Sequence, residues 1–317
     1  MMIRERNYKI VNLRAIAILT VVLGHSIILY SPSWGLVETD VECTFLKVLK
    51  DFINCYQMQL YFFLSGFLMY QSMKKKQCFR SFIQNKVQRL VIPYFVFGLF
   101  WMYPIKKMLH LSSFEGLSFM QFLIQIVEGN NTGHLWFLYT LFLIFVVSYI
   151  PNKFLGTVEG VNKYYIVGGV ILLISSILSF FVTKHICFTH FQMQNVLVYA
   201  FWFQLGFYMH EGNRITNMLM IGLCTAIILL TSPMMMISLC IVLGLYHFMP
   251  NKEWGILSFL DKYSFGIYLF HSPLIYITYT ILPNAHPCIV VFLNFVVMGV
   301  VSILLTHITK KIKWLHI

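Results

Sequence analysis

Apolar runs about twenty residues long, broken by short polar stretches, recur from one end of this chain to the other. A run of roughly 17–25 mainly apolar residues is long enough to cross a bilayer as a helix. On that measure the pattern predicts ten helices, at residues 10–30, 52–70, 90–105, 134–150, 164–182, 195–210, 216–231, 234–249, 264–282 and 288–306. The third is short and holds Pro93 and Pro104, and only Ser232 and Pro233 separate the seventh from the eighth, which implies a tight helical hairpin. Residues 117–127 are apolar but too short to span, and read as an amphipathic or re-entrant piece. The expected fold is all-α, a polytopic membrane bundle forming one domain over residues 1–317. The pattern has no soluble domain, linker or internal repeat.

Composition strengthens this picture. Hydrophobic residues make up 59% of the chain and charged residues only 11%, with a mean hydropathy of +0.75. Ordinary soluble domains carry about 25% charged residues. The net charge of +12 does not suggest nucleic acid, because the cations sit in short loops and tails. With ten spans, 17 of the 23 Lys and Arg fall on the side of the termini and five on the other, with Arg14 inside a span. The excess of positive charge marks the inner side, so both termini are expected in the cytoplasm. The first apolar run is too long for a cleaved signal and lacks a small-residue cleavage site, so it is expected to stay as the first span. The seven cysteines are scattered, mostly in apolar stretches, and read as packing residues. No spacing supports a metal site.

The first span, "NLRAIAILTVVLGHSII" at residues 12–28, contains Arg14 and His25. Eleven positions at 100° per residue bring the two within about 20° of one face, ~16 Å apart along the axis. None of the eleven carboxylates falls inside a predicted span. Arg14 cannot shed its charge, so an anion is expected to meet it: a lipid phosphate, an interfacial acid such as Glu5 or Asp261, or a ligand phosphate. Snorkelling to the headgroups is the plainer account of Arg14 alone. It does not account for His25, which lies deeper. An ionisable residue inside a span is a functional-site candidate, and an imidazole suits a general base near neutral pH. Ser26 points away from His25 and is not expected to be a nucleophile.

An arginine and a histidine with ten residues between them in the first helix resemble the signature of the membrane acyltransferase-3 family. Residues 55–68 ("CYQMQLYFFLSGFL"), 86–97 ("KVQRLVIPYFVF"), 133–143 ("GHLWFLYTLFL") and 263–275 ("YSFGIYLFHSPLI") resemble later family segments in the family's order. The second-helix wording is most similar to the fucose 4-O-acetylase-like branch. The resemblance implies transfer of an acyl group, usually acetyl from acetyl-CoA, to a hydroxyl of a carbohydrate or lipid-linked glycan. Arg14 and His25 match the family's arginine and histidine. Where the family often carries two arginines three apart before the third helix, this chain has Lys86 and Arg89. The charge is kept, but the bidentate fork is lost at Lys86.

Taken with the geometry, this makes acyl-CoA a donor substrate, with no permanently bound cofactor. Lys86, Arg89 and Arg14 would hold its phosphates, and His25 would take the proton of an acceptor hydroxyl arriving from the outer side. His134 and Trp136 at the start of the fourth helix are either an interfacial pair or part of the acceptor site. His271, two residues before Pro273, either lines the channel or bonds a carbonyl freed by that proline, with the structural role favoured. Asn54 and Gln57 bond a sugar or a neighbouring helix. Glu38, Asp40 and Glu42 form an acidic loop that would orient the base or meet the sugar. The setting expected is a bacterial inner membrane, with lipid, glycan and glycan-assembly proteins as partners. The rival reading is a multispan transporter or flippase of a polysaccharide precursor. Such proteins favour internal repeats and broken helices in matching positions, and this sequence has neither.

Overall fold

Asn7 starts the first helix by accepting the Ile10 N–H at 3.3 Å, and α1 runs Tyr8–Ile27 before tightening into a 3₁₀ turn at Ile28–Tyr30. The computed structural model describes residues 6–30, 41, 43–73, 78–155, 161–185, 191–209 and 233–312. Among these the secondary structure is entirely helical. The chain continues through α2 (Thr44–Asn54), α3 (Gln57–Met73), α4 (Phe79–Lys86), α5 (Ile92–Phe97), α6 (Tyr103–Met108), α7 (Phe119–Val127), α8 (Trp136–Leu155), α9 (Val161–His185) and α10 (Met193–Tyr208). It ends with α11 (Pro233–Phe248), α12 (Gly255–Ile281), α13 (Pro287–Leu293) and α14 (Gly299–Thr309). A helix stands at each predicted segment except 216–231, which lies outside the described residues. By length and composition, Tyr8–Tyr30, Gly133–Leu155 and Pro287–Thr309 are long and apolar enough to cross a membrane.

Three boundaries differ from the sequence expectation. Residues 52–54 belong to α2, and α3 begins at Gln57. The Cys55 N–H turns back to Asp51 and Phe52 carbonyls and closes α2 there. The helix expected at 90–105 begins at Phe79, because π turns at Val87–Val91 and Gly98–Met102 carry it past its prolines. Each wide turn lies just ahead of Pro93 or Pro104, so the missing N–H and the ring clash are absorbed without a break. Helix α12 begins at Gly255, nine residues ahead of the predicted 264, and so takes Asp261 inside a helix.

The residues form two compact units. The first comprises 1–58, 99–116 and 240–317. Its spine is α1 against α12, with α14 on α12. One end of it is closed by Ile27, Tyr30, Leu46, Ile53, Ile275 and Val290. Helix α2 buries Leu46, Lys50 and Ile53 while exposing Phe45, Val48 and Phe52.

The second unit comprises 59–98 and 117–239. There α3 and α10 cross so closely that a Cβ on Gly66 would overlap the Phe203 carbonyl oxygen, and one on Gly206 that of Phe63. Small residues allow such backbone approach between apolar helices. Ser118 caps α7 through a reciprocal pair with Gln121, and the helix exposes Phe119, Met120, Ile124 and Val127. This is the short amphipathic element expected at 117–127. The Tyr94 hydroxyl ties α5 to α7 by donating to the Ile126 carbonyl at 2.6 Å.

Candidate active site

Helices α1 and α12 lie side by side and point the same way, since Arg14 meets Asp261 and His25 meets His271. Arg14 and His25 therefore do share a face, and that face is turned to α12. The Arg14 Nη2 donates to Asp261 Oδ2 at 2.8 Å, and its Nε stands 2.8 Å from Oδ1. Arg6 lies 3.5 Å from the same carboxylate. Asp261, one of the anions that could meet Arg14, is thus its partner, and it lies within α12 rather than in the loop before it.

At the other end of the spine, His271 is fully buried. Its Nδ1 lies 2.9 Å from both the Ile267 and Tyr268 carbonyl oxygens, and its Nε2 lies 3.2 Å from His25 Nδ1. His25 Nδ1 also lies 2.9 Å from the Val21 carbonyl. Carbonyls only accept, so these partners assign the proton of each ring to Nδ1. His271 Nε2 then accepts from His25 Nδ1–H, and the lone pair of His25 is placed on Nε2. The two rings meet edge to face, 4.9 Å apart. The Ile267 and Tyr268 carbonyls that hold His271 are the two that precede Leu269, whose carbonyl Pro273 would free. Trp101 supports this stretch by donating to the Phe270 carbonyl at 3.2 Å.

Two lysines reach the same end. Gly24 leaves bare backbone beside His25, where an added Cβ would lie 2.8 Å from Gln57 Oε1 and 3.1 Å from Lys50 Nζ. Gln57 donates through Nε2 to Asn54 Oδ1 at 2.8 Å. Lys106, on α6, holds its ammonium 5.1 Å from the Tyr276 ring centre and 5.2 Å from that of Phe114. Tyr276 belongs to the cluster of Ile27, Tyr30, Leu46 and Ile53 that closes this end. Lys50 is 1% exposed and Lys106 4%. Burial brings the Lys50 ammonium down to about 8 from 10.5. Ser26 donates to the Val22 carbonyl, as its direction on the helix requires.

Of the predicted site residues, Arg14, His25, Asn54, Gln57 and His271 belong to the first unit. Lys86, Arg89, His134 and Trp136 belong to the second. There Lys86 is half-buried with its ammonium 3.6 Å from the Phe145 ring centre, and Arg89 is exposed. His134 is buried in the 3₁₀ turn that opens α8, and Trp136 packs on Tyr199, 5.4 Å between ring centres. Glu38, Asp40 and Glu42 lie outside the described residues. Sequence reasoning named Asp261 only as one candidate anion for Arg14, and it missed Lys50 and Lys106. A signal for Lys50 was available, since Leu46, Lys50 and Ile53 recur at spacings of four and three on one helix face. Among the described residues no group of His, Cys, Asp and Glu is arranged to hold a metal ion.

No protein of curated function and no solved structure matches this chain. A family model does, the acyltransferase domain of the acyltransferase-3 type, over residues 7–309. That match spans nearly the whole chain, and with the apolar helices and the polar residues held between them it identifies the protein as a member of the membrane acyltransferase-3 family.

Proposed function

We propose that this membrane acyltransferase moves an acetyl group from acetyl-CoA to a hydroxyl of a cell-surface glycan or lipid-linked sugar, with His25 as general base. The observation that carries the reading is the His25–His271 pair. Two carbonyls hold the proton of His271 on Nδ1, its Nε2 receives His25 Nδ1–H, and the basic nitrogen of His25 is thereby defined. Orientation of a histidine base through its second nitrogen is how such bases are held to one tautomer.

In this reading the acceptor O–H gives its proton to His25 Nε2 as its oxygen attacks the thioester carbonyl. The tetrahedral intermediate collapses with cleavage of the C–S bond, and the imidazolium returns the proton to the departing thiolate. General base catalysis of this kind contributes about 10²–10⁴-fold. The donor approaches from the Arg14 end, taken as cytoplasmic, and the acceptor from the His25 end. The Arg14 side chain is 37% exposed, so the edge not held by Asp261 is open to an anion. Arg89 and Lys86 are assigned to the donor's phosphates by their match to the family's basic pair. His134 and Trp136 are assigned to the acceptor.

The test is acetyl transfer from labelled acetyl-CoA to glycan acceptors in membranes containing the wild type or His25→Ala. Loss of transfer with unchanged protein abundance is expected. Equal transfer by His25→Ala would sink the reading.

A further inference from the structure

The end of the spine that carries His25 is cationic in a way the base itself does not need. Lys50 and Lys106 are both buried there, each on a different helix: the Lys50 ammonium arrives beside Gly24, next to His25, and that of Lys106 rests on Tyr276, in the cluster that closes this end. Among the described residues no carboxylate lies within 4 Å of Lys106, whose ammonium rests between the rings of Tyr276 and Phe114. A buried ammonium group such as that of Lys106 is tolerated only where something compensates it. Two positive charges beside a general base also oppose the imidazolium it must form. Lysines at such a place are therefore a handicap to transfer onto a neutral acceptor. An anion bound among them reverses the effect, because it offsets the charge of Lys106 and favours the imidazolium at the same moment.

The polar groups around them suit an anionic sugar. The Oε1 of Gln57 is buried without a hydrogen-bond partner and turns toward Gly24, the place where the Lys50 ammonium also arrives. The Tyr30 hydroxyl and the Thr278 hydroxyl, near the same end, are buried without partners as well. A carboxylate or phosphate would meet the ammonium groups, and neighbouring sugar hydroxyls would donate to Gln57 and bond Tyr30.

We propose that Lys50, Lys106 and Gln57 form an acceptor subsite for an acidic glycan, one carrying a carboxylate or phosphate close to the hydroxyl that is acylated. The inference rests on the acyltransferase reading and adds the chemical class of the acceptor. The anion does double service, holding the acceptor and removing the charge that opposes the base. Neutral sugars lack both effects.

The experiment uses the full-length protein in phosphatidylcholine nanodiscs with labelled acetyl-CoA. Three probes are compared: a glucuronic acid-containing oligosaccharide, a glycerol phosphate oligomer and a neutral glucose oligosaccharide. The expected result is transfer to one or both acidic probes well above the neutral one. In Lys106→Gln and Lys50→Gln the acidic-to-neutral ratio of kcat/KM should fall by at least about 30-fold, the effect of losing one partner of a buried charge pair. A raised KM for acetyl-CoA with an unchanged ratio would overturn the inference and assign the lysines to the donor. An equal fall for acidic and neutral probes would overturn it in favour of a role at the reacting oxygen or in folding.

Thermal stabilisation measured without acetyl-CoA separates binding from chemistry. Acidic probes should raise the melting temperature of the wild type and not of Lys106→Gln. If they do so while no probe is acetylated, the acyltransferase reading fails and the anion site stands. If phosphatidylglycerol nanodiscs give the lysine-dependent stabilisation and the acidic sugars do not, the anion is a lipid headgroup and the acceptor role is wrong.

Discussion

Arg14 on α1 is fastened to Asp261 on α12, with Nη2 donating to Oδ2 at 2.8 Å and Nε 2.8 Å from Oδ1. The Asp261 side chain is only 3% exposed, so it depends on that guanidinium far more than a surface acid would. Arg6, at 3.5 Å, supplies a weaker second contact. Arg14→Ala is expected to destabilise the protein by about 3 kcal/mol, the range for breaking a buried pair from one side. An Arg14→Met, Asp261→Leu double variant should recover most of that loss, because no charge is left stranded. Melting in detergent reads both. If the double variant also keeps a normal KM for acetyl-CoA, Arg14 has no role at the donor.

In the proposed reaction His271 orients His25, its Nε2 standing 3.2 Å from His25 Nδ1. His271→Phe keeps the ring volume but removes the Nε2 acceptor, so His25 loses the partner that orients it. We expect kcat to fall about 10²-fold with the KM for acetyl-CoA unchanged and the protein folded. His271→Gln, which can still accept a hydrogen bond, should recover part of the loss. A purely structural role would instead show as a lower melting temperature with no recovery by Gln.

The crossing of α3 and α10 tolerates no side chain at Gly66 or Gly206. An added methyl group would strike backbone carbonyls, Phe203 in one case and Phe63 in the other, and backbone cannot step aside as a side-chain end can. Gly66→Ala and Gly206→Ala should each cost roughly 3 kcal/mol or more, at the upper end of overpacking penalties. Thermal melting and the yield of folded protein check this. Gly244→Ala, where a Cβ meets nothing within 4 Å, is the control and should be neutral.

Stability should rise with pH in the window set by Lys50. Its folded value of about 8 lies below the ordinary 10.5 because burial disfavours the ammonium. Below pH 8 both states carry the proton and the penalty is fully present. Between these values the unfolded chain binds more protons, so stability increases with pH by up to ~3 kcal/mol. Above the ordinary value the penalty is gone. Melting curves from pH 7 to 10.5 should show this rise in the wild type and a smaller one in Lys50→Met. Equal slopes would show that Lys50 is solvated.

Much of this was readable along the chain. The apolar runs located α1, α8, α9, α10 and α11 to within a few residues, because an unbroken stretch without carboxylates has few options other than a helix. Helix α12 was misjudged at its start. The charged pair Asp261 and Lys262 interrupts the apolar run, yet the backbone is helical from Gly255 through both, and Arg14 takes the carboxylate. The helix through Pro93 and Pro104 was judged too short for a similar reason. Proline reads as a break in sequence, and only the backbone geometry reveals a π turn that accommodates it.

The first helix determined by itself that Arg14 and His25 share a face, since 100° per residue leaves no other outcome. It also determined that both must find company, since a charge and a titratable ring among apolar groups are expensive alone. The identity of that company was decided only by tertiary structure. Asp261, His271, Lys50 and Lys106 are brought to the two ends of one helix from positions up to 247 residues away, and no local period links them. Periodicity fixes direction within an element, whereas packing alone decides which elements face each other.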